Sequence, residues 1–393
     1  VCDSDTEGDV SQDNSTTELP DVGFTLAGPS PAPEPTQRPK DLTGRIADEL
    51  AALLSNGRRL DAAFALTVSD EAAQVVVSDG QQALLVRPPA AILPMLRELR
   101  HQSAESDDGP WWRVLISLTH AADARFEYDF GSEPFPGDHL FPRQAYLADM
   151  GTYPRKRLPV WLAAYVGHEE RQTRPPGIAT VQASTDNASG TAPTPIGAAL
   201  PPFPMMWARW GVISAAFVAA NSPWGPRISA ALGWFESSTR DGSTLHRLPN
   251  GRAILSGGVW DAPELDAAYN DGEQLPQLYR GAPDWVADPV LNPRAANGLL
   301  SFCYWWDGSA WYCGESPSVE QVGAAIPGIW SSDTAVDIVA DSTEGRSGAW
   351  AAALVAAAET GTVTRTLLTR AFVGEGVDLD NAYYQLILAG VVN

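Results

Sequence analysis

The sequence predicts an α+β protein: an N-terminal antiparallel sheet flanked by helices, followed by a second α+β unit that ends in helices. Three observations predict it. Apolar residues fall at helical spacing in some segments and at strand spacing in others. Turn signals such as Asp79-Gly80 join neighbouring strand-like runs. The order of segments over the first 168 residues, α-β-β-β-α-β-β-α, groups strands with strands, as antiparallel pairing requires.

Residues 1–40 are rich in Asp, Ser, Thr and Pro and include PSPAPEPTQRP. With so few apolar anchors they are expected to form a disordered tail. A helix then starts at Asp41 or Thr43, either of which can cap it, and Leu42, Ile46, Leu50, Leu53 and Leu54 share one face. Asn56-Gly57 stops it. Residues 62–68 read as a strand, and residues 75–77 and 84–86 as two more joined through Asp79-Gly80. A second helix over residues 90–101 turns Ile92, Met95, Leu96 and Leu99 inward. Strands follow over residues 112–118 and 125–130. Beyond a Pro-rich connection a closing helix over residues 159–166 packs Val160, Trp161, Ala164 and Tyr165.

Residues 169–202, rich in Pro, Ser, Thr and Ala, read as a linker between a first domain (41–168) and a second (203–393). The second is rich in Trp. It is expected to hold a helix over residues 205–221, strands around residues 228–236 and 252–259, and a loop with many Asp, Gly and Pro residues. A hairpin carrying Cys303 and Cys313 and helices over residues 347–359, 363–372 and 379–391 complete it, with Gly361 and Gly374 as stops.

Charge narrows the class of function. The chain has 393 residues, 48 of them acidic against 26 basic, for a net charge of −22. The imbalance is spread along the chain, so a nucleic-acid binder, which needs a basic footprint, is excluded. An acidic surface suits a basic protein partner as well as it suits solubility. Three cysteines do not make a disulfide framework. A three- or five-residue loop would bring Cys303 opposite Cys313, whereas a two-residue loop would offset them; two reduced core thiols are the expectation. No apolar run approaches the roughly 18–20 residues a membrane span needs, and no signal-peptide pattern is visible. Cys2 leaves open a mature lipoprotein.

Candidate chemistry is sparse. The histidines, His101, His120, His139, His168 and His246, show no metal-ligand spacing, and neither a metal nor a cofactor is expected. Asp138-His139 resembles an acid–base pair in type, but its Pro-rich loop favours two exposed polar side chains with no chemistry to perform. Ser256-Gly257-Gly258 reads as a bulge or turn. Trp305, Trp306 and Trp311 invite a sugar-stacking reading, yet at least one of the adjacent pair must be core.

The acidic, aromatic strand at Phe126 to Phe130 carries most weight. Alternation puts Phe126, Tyr128 and Phe130 on one face and Glu127 and Asp129 on the other, the two carboxylates about 7 Å apart. Glu133 and Asp138 follow in the loop. Such a surface can dock a basic protein. Glu127, Asp129, Glu133 and Asp138, with Trp112 or Tyr128 beside them, form the expected partner-facing patch; Tyr128 is its weakest member because its ring points to the core side.

Over residues 41–168 these pieces, taken in order, resemble the YezG-like immunity proteins of bacterial polymorphic toxin systems. The shared features are Leu96–Arg100 ending a helix, Trp111 and Trp112 before an apolar strand, and Phe126-Glu127-Tyr128-Asp129-Phe130 with Glu133-Pro134. Pro159-Val160-Trp161-Leu162 opens the closing helix. The resemblance implies a cytoplasmic, non-enzymatic antitoxin that binds the basic C-terminal domain of a cognate toxin, commonly a nuclease. It does not extend to residues 203–393. Competing expectations are a hydrolase with a site between the domains, and an exported lipoprotein or cell-wall-binding module.

Overall fold

The computed structural model describes residues 40–54, 58–105, 108–342 and 348–393. The protein is α+β, with two antiparallel sheets among these residues. The expectation at Cys2 lies outside the described residues, as do the Asn56-Gly57 stop and most of the 1–40 tail.

The first sheet has the order β3-β2-β1-β4-β5, built from β1 (Arg59–Leu66), β2 (Glu71–Ser78), β3 (Ala83–Val86), β4 (Arg113–Leu118) and β5 (Arg125–Asp129). Helices α1 (Lys40–Ala51) and α2 (Ile92–Gln102) cover one face. Leu42, Ile46 and Leu50, spaced by four, are buried there beside Ile92, Leu96 and Leu99, with Phe64, Val75, Val114 and Ile116 from the strands. Helix α1 is already under way at Lys40, so Thr43 lies within it and caps nothing. The Asp79-Gly80 turn forms as expected: Gly80 has φ +87°, and the Asp79 carboxylate accepts from the N–H groups of Gln81 and Gln82. On the opposite face, α3 (Arg143–Thr152) and α4 (Val160–Gly167) pack Tyr146, Trp161 and Leu162 over Ala65 and Trp112. Helix α3 sits inside the expected Pro-rich connection, entered from Pro142.

Residues 169–202 are folded as well, which corrects their reading as a bare linker. They contain α5 (Pro176–Ser189) and the short edge strand β6 (Thr194–Pro195). Pro175-Pro176 opens the helix and Gly190, at φ +71°, closes it. Inside the second half, α6 (Phe203–Ala219) is buried on almost every side. Strands β7 (Arg227–Ile228), β8 (Leu232–Glu236), β9 (Gly242–Arg247) and β10 (Ala253–Gly258) follow. After α7 (Pro263–Asn270) come β11 (Phe302–Trp306) and β12 (Trp311–Cys313), and then α8 (Ser332–Asp341), α9 (Gly348–Glu359), α10 (Arg365–Ala371) and α11 (Leu379–Ala389). The expected single strand at 228–236 is a hairpin, because Ser229 and Leu232 close a turn between β7 and β8.

The second sheet runs β6-β12-β11-β10-β9-β8-β7. Both of its faces are covered. Leu255, Phe302, Tyr304 and Trp306 face α6 and the C-terminal helices, while Ile254, Cys303 and Trp305 face Leu278, Val286 and Leu300. Trp305 and Trp306 are thus both core, on opposite sides, and Trp311 is buried too. That removes the sugar-stacking platform. Tyr304 pairs with Cys313 across a four-residue loop at Asp307, so the two cysteines point to opposite faces, buried and unbridged. Ser256 and Gly257 lie in regular register in β10 and form no bulge.

The two halves are joined by a continuous set of contacts. Val160 of α4 packs with Ala262 and Leu265 at α7. The Asn270 amide both accepts from Leu158 N–H and donates to its carbonyl, each at 3.0 Å. Gln172, 6% exposed, does the same with the main chain of Leu300, at 3.0 and 2.7 Å. Arg157 bridges to Asp266 and Asp271. No helix among the described residues is long and apolar enough to cross a membrane.

Candidate partner-binding site

Strand β5 alternates as expected. Phe126, Tyr128 and Phe130 lean on the α1/α2 core, with the Tyr128 ring 5.9 Å from that of Trp111. Glu127 and Asp129 occupy the other face, opposite Leu115 and Arg113 of β4. Glu127 is exposed. Asp129 is half-buried: Arg113 reaches it at 3.2 Å, and the N–H of Gly131 donates to its other oxygen at 2.8 Å. Burial holds the Asp129 carboxyl above its ordinary range, with a lesser push from Glu127 and Glu133 and with Gly131 and Arg113 acting the other way. Asp129 therefore lies within the field of both neighbouring carboxylates at the end of β5. Glu133 is exposed and bonded to Arg240 of the second half at 2.8 Å. Asp138 is exposed further along the loop.

Two of the six expected residues do not face a partner. Trp112 is 2% exposed. Its ring packs against the guanidinium of Arg155 at 3.8 Å and that of Arg100 at 5.6 Å, with Tyr146 edge-on at 5.1 Å. Its place one residue before β4 turns it under α3 and α4, away from solvent. Tyr128 is half-buried against Trp111, which limits it to a supporting role. The residues the sequence reading left out are Arg113 and Arg240. Arg113 was within reach of pairing logic, being directly across from Asp129. Arg240 sits 107 positions from Glu133, and no local pattern announces it.

Asp138-His139 is not a surface pair. Asp138 is exposed, but His139 is buried, its Nδ1 without a protein partner. Burial, and then the Arg113 charge, hold His139 below its usual value while Asp138 opposes them. The fold therefore favours its neutral form. Below the ordinary histidine value near 6.5, the unfolded chain takes up a proton that the folded chain refuses, so this contribution to stability is present above that pH and lost as pH falls. Asp129 has the opposite sign, its contribution lost as pH rises. We expect the stability of His139→Gln to depend less steeply on pH between 7 and 5 than that of the parent, by at most about 1.4 kcal/mol per pH unit. Equal slopes in urea titrations at the two pH values would contradict this.

Among the described residues no group of three or more His, Cys, Asp or Glu side chains is placed to hold a metal ion. No family model matches the chain, and neither a curated protein nor a solved structure matches it.

Proposed function

We propose that the protein is a binding protein that engages a basic protein partner through the carboxylates of β5 and the loop after it. We further propose that this partner is a cognate toxin domain, neutralised in the cytoplasm as the resemblance at residues 41–168 implies. One observation carries the reading. The patch already holds two guanidinium groups of its own chain, Arg113 on Asp129 and Arg240 on Glu133, while Glu127 and Asp138 stand exposed beside them. A surface that seats arginines from its own chain is chemically suited to seat those of another, and charge-assisted bonds of this type are short and directional. The net charge of −22 would steer a basic partner toward it and make association fall with salt.

The test is co-purification with the product of the neighbouring gene, followed by charge reversal. Asp129 is left intact, since reversing it would strand Arg113. Glu127→Lys with Asp138→Lys is expected to weaken the complex by about 10–100-fold, mainly through slower association, with an unchanged melting temperature. A complex that forms at the parent rate with the doubly reversed protein would overturn the reading, as would a neighbouring toxin that the protein neither binds nor neutralises.

A further inference from the structure

A cleft of about 620 Å3 opens where the 171–191 segment meets the loop at residues 272–280, and a second hollow of about 480 Å3 continues it past Thr191, Arg280 and Glu315. Arg171, Arg174 and Arg280 line the first cleft. Several guanidinium groups of this acidic chain are matched with carboxylates: Arg143 with Glu169, Arg157 with Asp266 and Asp271, Arg294 with Glu236. Arg171 and Arg174, like Arg227 and Arg252 elsewhere, bond instead to carbonyl oxygens. Arg171 donates to the carbonyl of Gly167 at 3.1 Å and lies over the Tyr269 ring at 5.1 Å; Arg174 donates to the carbonyls of Arg171 and Thr173 at 2.6 and 3.0 Å. Among the described residues neither reaches a carboxylate at ion-pair distance.

Two of the three carboxylates that line the cleft are engaged, and beside it Glu169, bonded to Arg143, lies within the field of Arg171. Asp186 accepts from Gln182 and from the N–H of Gly281, both at 2.7 Å. Glu315 holds Arg280 at 3.0 Å and the N–H of Gln277 at 2.8 Å. Glu273 is exposed. Between the two arginines, Gln172 is locked to the main chain of Leu300, so both guanidinium groups project from a fixed backbone. Leu275, Leu278 and Tyr279 supply an apolar wall. The volume is that of an ordinary small-molecule site, apolar over part of its lining with a few convergent polar groups.

We propose that this cleft binds a small molecule bearing an oxyanion, phosphate or carboxylate, with Arg171 and Arg174 as the recognising forks and the apolar part of the ligand against Leu275 and Leu278. A planar guanidinium with unused N–H groups matches either oxyanion in two-pronged fashion. None of the β5 carboxylates lines the cleft, so the partner-binding reading stands or falls separately.

The experiment is calorimetric titration of the full chain at low ionic strength with pyrophosphate, AMP and citrate. At least one probe is expected to bind saturably, one per chain, and Arg171→Ala/Arg174→Ala is expected to weaken it at least tenfold. Should that variant lose its cooperative melt, Arg174→Lys carries the test: it keeps the charge but loses the fork, and a several-fold loss is expected. Binding by the phosphate probes alone, or by citrate alone, assigns the oxyanion and supports the site. The absence of saturable binding by all three probes, or binding that neither variant alters, overturns it.

Discussion

Asp149→Ala is expected to destabilise the protein by about 3–5 kcal/mol, the range for removing one partner from a buried ion pair. Asp149 is fully buried, in α3. One of its oxygens receives Arg100 at 2.8 Å, with Arg155 at 3.8 Å; the other accepts the N–H of Val68 at 2.9 Å. Arg100 also donates to the Trp111 carbonyl at 2.8 Å, and Arg155 to the carbonyls of Asp108 and Pro110. Two cations thus share one anion under Trp112. The strain shows on Arg155, pushed down to about 10 chiefly by burial, with Asp149 opposing and Arg100 reinforcing. Without Asp149 both guanidinium groups face each other without compensation and Val68 loses its acceptor. Asp149→Asn should recover the Val68 bond and little else. Urea titration with an unchanged m-value is the measurement, and a loss under about 1 kcal/mol would mean that the arginines relax to water.

Gly257→Ala is expected to cost about 3 kcal/mol, at the upper end of overpacking. Gly257 lies in the middle of the second sheet, paired with Ser243 on one side and Phe302 on the other. A Cβ there would stand 2.6 Å from the Phe302 ring and closer still to the Gly242 carbonyl oxygen. Phe302 is fully buried and cannot swing out, and the carbonyl belongs to the backbone. Gly151→Ala is the matched control. It lies in a helix with open space at its Cβ, and should gain about 0.5–1 kcal/mol. Similar melting temperatures for the two variants would refute the packing account.

Elements with an apolar rhythm were legible from residues alone. Leu42, Ile46 and Leu50 announce α1, and Ile92, Met95, Leu96 and Leu99 announce α2. Helix α5 was not legible, because its buried residues are Ala179 and Asp186, which carry no hydrophobic rhythm; only Pro175-Pro176 and Gly190 marked its ends. Strand β9 was hidden for a related reason. Its Ser243 is buried but satisfied by the Ala325 carbonyl, so a polar residue occupies a core position. At the candidate site, alternation placed Glu127 and Asp129 correctly on the face away from Trp111. It could not place Trp112, which lies just outside β4 and packs according to helices α3 and α4. Nor could it bring Arg240 to Glu133, since long-range pairing leaves no mark on neighbouring residues.

Helix α6 is laid down long before the element that covers it. Its Trp207 indole donates to the carbonyl of Ala389, 182 positions later, at 2.9 Å, and its Gly211 lies against the Ala389 side chain. At ordinary translation speeds of about 5–20 residues per second, that separation leaves the face of α6 that α11 covers waiting roughly 10–40 seconds on the ribosome. During that interval the side of α6 that carries Trp207 and Gly211 lacks its Ala389 cover. The yield of folded protein in the cell should therefore respond to elongation rate over this stretch as well as to the stability of the finished molecule.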